Sequence, residues 1–276
     1  MRRRPFLSTA ALAALAGCST GSDADGQTAD GSGRFELIDI EAPNQVPSTA
    51  KVRFTISVRN VGSERQTFST PIELQTDGGD WRTVDTVSLS LDAGETGDVQ
   101  TAQLPMPYLG TRKYRLPAFD ETWAVEISPL QLSFGESYLV PNGLIVSVIG
   151  GKFEPEYPSA SSSANQTATP TPMTPTGENL WLIMRVDVRN RLQDESLQAP
   201  QPAQFSLTTK ETPRQRHQEV AVDPYQGGTL ASRSVRRGSL VYAVPPDTQA
   251  ADVTMSWEAS LPEGDVRSTW GSSTDR

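Results

Sequence analysis

The chain has 276 residues, with 21 Gly, 21 Pro, one Cys, one His and a formal net charge of −9. One Cys excludes an internal disulfide, a thiolate metal cluster and a Cys–His copper site, and the acidic balance disfavours nonspecific nucleic-acid binding. Many short Val/Ile/Leu/Thr runs lie between Gly, Pro, Asn and Asp clusters, which favours an all-β protein of one large or two ordinary domains.

Residues 1–17 read as a signal peptide. A basic start, Arg2 to Arg4, precedes a short apolar stretch, Phe6 to Ala16, too short to span a bilayer as a stable helix. Arg3-Arg4-Pro5-Phe6-Leu7 resembles the twin-arginine export signal. Leu15-Ala16-Gly17-Cys18 resembles a lipobox, in which the Cys is lipidated and becomes the mature N-terminus. The competing reading is a plain secretory signal with an incidental Cys. Lipidation at Cys18 implies a protein held at the cell membrane, facing the extracellular side.

Residues 18–33, CSTGSDADGQTADGSG, are small and polar and read as a disordered tether. Loss of the three signal arginines leaves 24 − 3 = 21 basic against 33 acidic residues, net −12. Arg outnumbers Lys 20 to four. A dispersed acidic surface poor in Lys resembles proteins of halophilic archaea, because strong salt screens its self-repulsion. An ordinary acidic extracellular protein is the alternative.

From residue 34 the pattern alternates. FELIDIEA reads as a strand, and so does KVRFTISVRN, with Val52, Phe54, Ile56 and Val58 on one face. Asn60-Val61-Gly62 supplies a turn and Asp77-Gly78-Gly79-Asp80 a hairpin. LDAGETGDVQTAQLP, KYRLPAF and ETWAVEI complete roughly seven short strands in about 95 residues, the spacing of a β-sandwich. The expected domain is 34–128.

A second sandwich is expected over 129–262. FGESYLV and GLIVSVIGGKFEP open it, and a Ser/Thr/Pro-rich loop over 157–179 interrupts it. NLWLIMRVDVRN, QFSLTTK, GSLVYAVPP and DVTMSWEAS follow, and 263–276 read as a disordered tail. Val-Arg-Asn ends a long alternating strand in each unit, at Asn60 and Asn190, 130 residues apart (190 − 60). A Trp strand, with Trp123 or Trp257, then closes each unit. Two copies of one immunoglobulin-like plan explain the repeat. Both Asn residues read as structural strand ends, where Asn tolerates the left-handed conformation and bonds its own backbone.

FTISVRNVGSE and LDAGET make residues 34–128 resemble the CARDB-type adhesion-related immunoglobulin-like domains of prokaryotic surface proteins. LWLIMRVDVRN and RRGSLVYAVPP make residues 130–260 similar to an immunoglobulin-like domain of unknown function found in secreted lipoproteins. Arg191-Leu192-Gln193 departs from that family's turn after the strand-end Asn. Both resemblances imply a fold, and neither supplies catalytic residues, cofactors or metal ligands to carry over.

Candidate chemistry is sparse. His217 lies in a Pro/Arg/Gln loop with no nucleophile context, so no enzyme is expected. Arg214 and Arg216 share one loop, and Arg233, Arg236 and Arg237 precede GSLVYAV. They are candidate contacts for an anion or partner, or balancing charge on turns. Asn165-Gln166-Thr167 is a glycosylation sequon, making Asn165 a candidate acceptor. Trp81, beside a hairpin, could stack on sugars or pack across strands. The expected function is a non-catalytic binding or adhesion module acting on an envelope protein or glycan. The alternative is an accessory lipoprotein subunit of a membrane transport or export complex.

Overall fold

A computed structural model describes residues 34–76, 78–158, 172–217, 219 and 221–272. The expected signal segment, the expected tether with Cys18 and the candidate acceptor Asn165 lie outside the described residues. What is described is all-β, with sheets stacked in pairs around two cores.

In the first part, strands β1 (Phe35–Glu41), β2 (Gln45–Pro47), β3 (Lys51–Val52), β4 (Thr55–Asn60) and β5 (Gln66–Thr76) come first. They are followed by β6 (Arg82–Leu91), β7 (Thr96–Gln100), β8 (Leu104–Pro105), β9 (Gly110–Leu116) and β10 (Glu121–Ser128). One sheet has the order β1-β4-β7 and faces a second, β2-β10-β9-β5-β6. Strict alternation along β4 explains the stacking. Phe54, Ile56 and Val58 are fully buried, while Arg59 is exposed, so the apolar face can only point at the opposing sheet. Trp123 stacks on its cross-strand neighbour Tyr114 at 5.7 Å and meets Phe54 of the opposite layer edge-on at 5.2 Å.

The second part contains β11 (Leu130–Ser133), β12 (Ser137–Leu139), β13 (Leu144–Glu154), β14 (Tyr157–Pro158), β15 (Pro172–Met173) and β16 (Leu180–Asn190). Then come β17 (Leu197–Ala199), β18 (Phe205–Thr209), β19 (Thr212–Pro213), β20 (Gly228–Leu230) and β21 (Val235–Val244). Two long strands finish it, β22 (Val253–Leu261) and β23 (Gly264–Gly271). Its sheets are β12-β13-β16-β21 and β11-β23-β22-β18-β19.

The two sandwiches share a register. Asn60 pairs with Phe35, the first residue of β1, and Arg59 with Thr96, the first of β7. Asn190 likewise pairs with Leu144, the first of β13, and Arg189 with Val235, the first of β21. In each second sheet the last strand takes a short parallel partner, β2 beside β10 and β11 beside β23. The counterpart of β10 is therefore β23, and Trp123 corresponds in strand order to Trp270 rather than to Trp257.

This corrects the expected tail. Gly264–Gly271 is a strand hydrogen-bonded on both sides, and Val266, Ser268 and Trp270 are buried in the core. Trp270 Nε1 donates to the Glu136 carbonyl at 3.0 Å.

The Val-Arg-Asn repeat has a physical cause other than a left-handed backbone, which neither Asn adopts. Both side chains are fully buried. Asn60 Nδ2 donates to the carbonyls of Glu64 (2.8 Å) and Leu91 (3.1 Å), and its Oδ1 accepts from the Gly62 N–H (2.9 Å). Asn190 repeats this on Glu195 (2.7 Å), Leu230 (3.2 Å) and the Leu192 N–H (2.9 Å). One amide closes its own turn and ties the strand end to another strand, satisfying a buried carbonyl, of Leu91 or Leu230, that water cannot reach.

Both sandwiches belong to one compact unit, Gly31–Arg276. They meet where Tyr108 packs against the second core and the Leu109 N–H donates to the Asp265 carbonyl at 2.8 Å. Beside it a Cβ on Gly264, whose φ is +145°, would stand 2.9 Å from Tyr108 Cβ, so this turn requires glycine.

Candidate functional site

Register places side chains on the outer face of β12-β13-β16-β21 in rows, because period-two alternation sends every second residue outward. Leu182, Met184, Val186 and Val188 of β16 belong to the core, so Trp181, Ile183, Arg185, Asp187 and Arg189 face out. Pairing then gives five outward rows. They are Ile145–Arg189–Val235, Ser147–Asp187–Arg237, Gly150–Arg185–Ser239, Lys152–Ile183–Val241 and Glu154–Trp181–Ala243.

One end of this face is roofed. Tyr157 and Ala221 pack with Trp181, Ile183 and Val241 in a satellite apolar cluster. His217 closes its side, its ring 5.3 Å from Trp181, its N–H on the Val241 carbonyl at 2.7 Å and its Nδ1 3.2 Å from Glu219. The sole histidine is thus part of a roof over tryptophan. The Met173 carbonyl accepts from Trp181 Nε1 at 2.8 Å.

The rest of the face is bare. Of the seven large hydrophobic residues exposed among the described residues, five (Leu139, Ile149, Met173, Val222 and Val235) lie on the second sandwich, on or around this sheet. A soluble surface scatters such residues singly, so this sheet is the candidate interaction surface. Where roof and bare face meet there is a cavity of about 520 Å³. Ile149, Tyr157, Ile183 and Val222 give it apolar walls, and Lys152, Arg185 and Asp223 its charges.

A β-bulge makes room for the cavity. Register slips between Val148 and Gly150, and Gly150 takes φ +132°. Arg185 therefore stands between a glycine and the small, buried Ser239. Lys152 pairs with Glu154 at 2.9 Å.

The arginines singled out from sequence do not converge. Arg214 donates to Thr209 Oγ1 and Arg216 to the Pro202 carbonyl. Arg233 reaches Gln193 Oε1 at 2.7 Å. Arg236 clasps the 226–229 segment through the carbonyls of Gly227 and Thr229. Arg237 pairs with Asp187 at 3.0 Å. Each guanidinium has a partner of its own, because adjacency in sequence sends Arg236 inward and Arg237 outward. Burial pushes the Tyr242 phenol up against the lowering pull of Arg216 beside it. Trp81 carries the Arg115 guanidinium 4.6 Å over its ring, and Arg115 also pairs with Glu73. That indole is engaged in cross-strand packing.

Among the described residues no group of three or more His, Cys, Asp or Glu side chains is placed to hold a metal ion. The sequence reading missed Arg185 and the cavity. The signal was present in Gly150-Gly151, a glycine pair inside a strand, which marks a bulge or a close approach.

No protein-family model matches the chain, and no curated protein matches it. Among solved structures, a protein described as a lipoprotein (ycdA) of Bacillus subtilis is similar at 15% identity with a TM-score of 0.33. That match covers 50% of this chain and 38% of the Bacillus chain. An uncharacterized β-sandwich protein of Clostridium difficile is similar at 9% identity with a TM-score of 0.31, over 52% of this chain and 94% of that one. Overlap this low assigns neither a family nor a role.

Proposed function

We propose that the protein is a lipid-anchored, non-catalytic binding module of the cell envelope, held at the extracellular side of the membrane by Cys18. The observation that carries the binding reading is the bare outer face of β12-β13-β16-β21, with exposed Leu139, Ile149 and Val235, and the cavity walled by Ile149 and Val222. The signal and lipobox residues Arg3, Arg4, Leu15, Ala16, Gly17 and Cys18 support the address. One lipid chain anchors only marginally, so the partner or a second acyl chain adds to retention. The partner is an envelope protein or glycan. The acidic, Lys-poor composition supports working in high salt, and Asn165 is the proposed glycan acceptor.

Cys18→Ser tests the anchor. The variant is expected in the medium or with an unprocessed signal, while the native chain fractionates with membranes. Unchanged membrane retention would rule out lipid anchoring. Cross-linking of intact cells then separates the two kinds of partner. Stoichiometric recovery of one membrane transporter would make the protein an accessory subunit. Recovery of surface glycoprotein or glycan is expected for an adhesion module.

A further inference from the structure

Arg185 is the one charged residue of the cavity's central row, and its neighbours explain its availability. To one side lies Gly150, which has no side chain, and to the other Ser239, too small to reach past the guanidinium. Among the described residues the Arg185 side chain makes no ion pair or hydrogen bond. Every one of the five arginines discussed above is tied down, and so is Arg115. Arg189 on the same face is exposed and unpartnered too, but of the two only Arg185 lines the cavity, where it presents a planar set of five donors beside apolar walls.

The cavity volume, about 520 Å³, falls in the range of small-ligand sites. Its walls select an apolar body through Ile149, Ile183 and Val222, with Tyr157 at the roofed end. Its charges select the head group. Lys152 is held by Glu154, so Arg185 is left to meet an anion. Asp223 lies on the segment beside β21, where the Ser239 N–H donates to the Asp223 carbonyl at 2.7 Å. A carboxylate at that rim repels a second negative charge on the ligand and limits it to a monoanion.

We propose that this cavity binds an apolar group carrying a single carboxylate, with the Arg185 guanidinium pairing the carboxylate and Ile149, Ile183 and Val222 enclosing the apolar part. The planar fork of arginine matches a carboxylate bidentately, which sets orientation as well as affinity. The proposal rests on reading the outer face as the binding surface and names the chemistry that its cavity accepts. Such a carboxylate could arrive on a small organic acid or at the end of a peptide chain.

The probe is N-acetyl-leucine, added to the full chain in detergent and followed by ligand-observed NMR. The native chain is expected to bind it and to bind N-acetyl-leucine amide about tenfold more weakly or worse, because only the acid offers the bidentate partner. Arg185→Gln should lose the same factor for the acid while leaving the amide unchanged. Arg185 is exposed, and an unchanged near-ultraviolet circular dichroism spectrum confirms that the variant folds. Val222→Asp, at the exposed rim, should weaken the acid more than the amide. N-acetyl-Ala-Ala-Leu separates the sources: tighter binding than N-acetyl-leucine indicates a peptide terminus, and equal binding a small acid. No binding of the acid at tens of millimolar, or equal binding of acid and amide, would overturn the proposal. Partner capture through Leu139 or Val235 in cells would then still stand, so failure of the cavity is distinguishable from failure of the surface.

Discussion

Replacing Asn60 or Asn190 with Ala should cost each sandwich about 2–5 kcal/mol. The figure follows from the three bonds that each side chain makes. The bond to the Leu91 carbonyl is buried, and so is its counterpart to Leu230. Removing the amide leaves an acceptor without a partner or water, at ~1–3 kcal/mol. The other two bonds of each Asn are only partly buried, so water recovers much of them and each adds ~0.5–1 kcal/mol. For a sandwich of about 95 residues the sum lowers the midpoint by about 10–40 °C. Trp81 and Trp123 report on the first sandwich, and Trp181, Trp257 and Trp270 on the second. Fluorescence combined with calorimetry therefore shows which half melts. Asn60→Ala should destabilise the first half first, and Asn190→Ala the second. Asn60→Asp should be at least as damaging, because a carboxylate oxygen would face two carbonyls. Exposed Asn44→Ala is the control and should stay within ~0.5 kcal/mol. If Asn60→Ala and Asn190→Ala both match that control, the repeat is not pinned by its asparagines.

The closing strand gives a second prediction: Trp270→Ala should cost ~3–5 kcal/mol, and deleting residues 264–276 should abolish folding of the second sandwich. A truncated chain as stable as the native one would return that segment to the status of a tail. Alkaline pH gives a third. Burial holds the Tyr114 and Tyr138 phenols up at about 12, with Arg112 opposing it at Tyr114, and it raises Tyr225 and Tyr242 as well. The neutral phenol is the folded form, so this stability is complete below the unfolded value of about 10 and is lost as pH rises from there through about 12. Tyrosinate absorbance should therefore rise late and together with loss of circular dichroism. A smooth titration of all six tyrosines near 10, with the fold intact, would contradict the burial.

What the sequence disclosed depended on how one-sided each strand is. Val52, Phe54, Ile56 and Val58 alternate with polar residues, so β4 and its face were legible, and so was β16 in MRVDVRN. β23 was not. GDVRSTWG offers only Val266 and Trp270 as apolar signals, and its buried Ser268 reads as polar. Its position near the chain end then argued for fraying. The asparagines were legible as structural, but their mechanism was not, because Leu91 and Leu230 are brought to them by tertiary pairing. Arg233, Arg236 and Arg237 looked like a cluster because sequence distance ignores the pleat. Arg185 looked like any outward strand residue, because nothing local reveals that its cross-strand neighbours are Gly150 and Ser239.

Site-specific photo-cross-linking in intact cells tests the central claim most directly. A cross-linking residue is placed at Val235 or Leu139 on the bare sheet, and in parallel at Val61, exposed on the first sandwich as much as Leu139 and more than Val235. The bare face is predicted to capture one reproducible envelope component, and Val61 is predicted to capture none. Equal capture from both positions, or capture from Val61 alone, would contradict the assignment of this face as the binding surface.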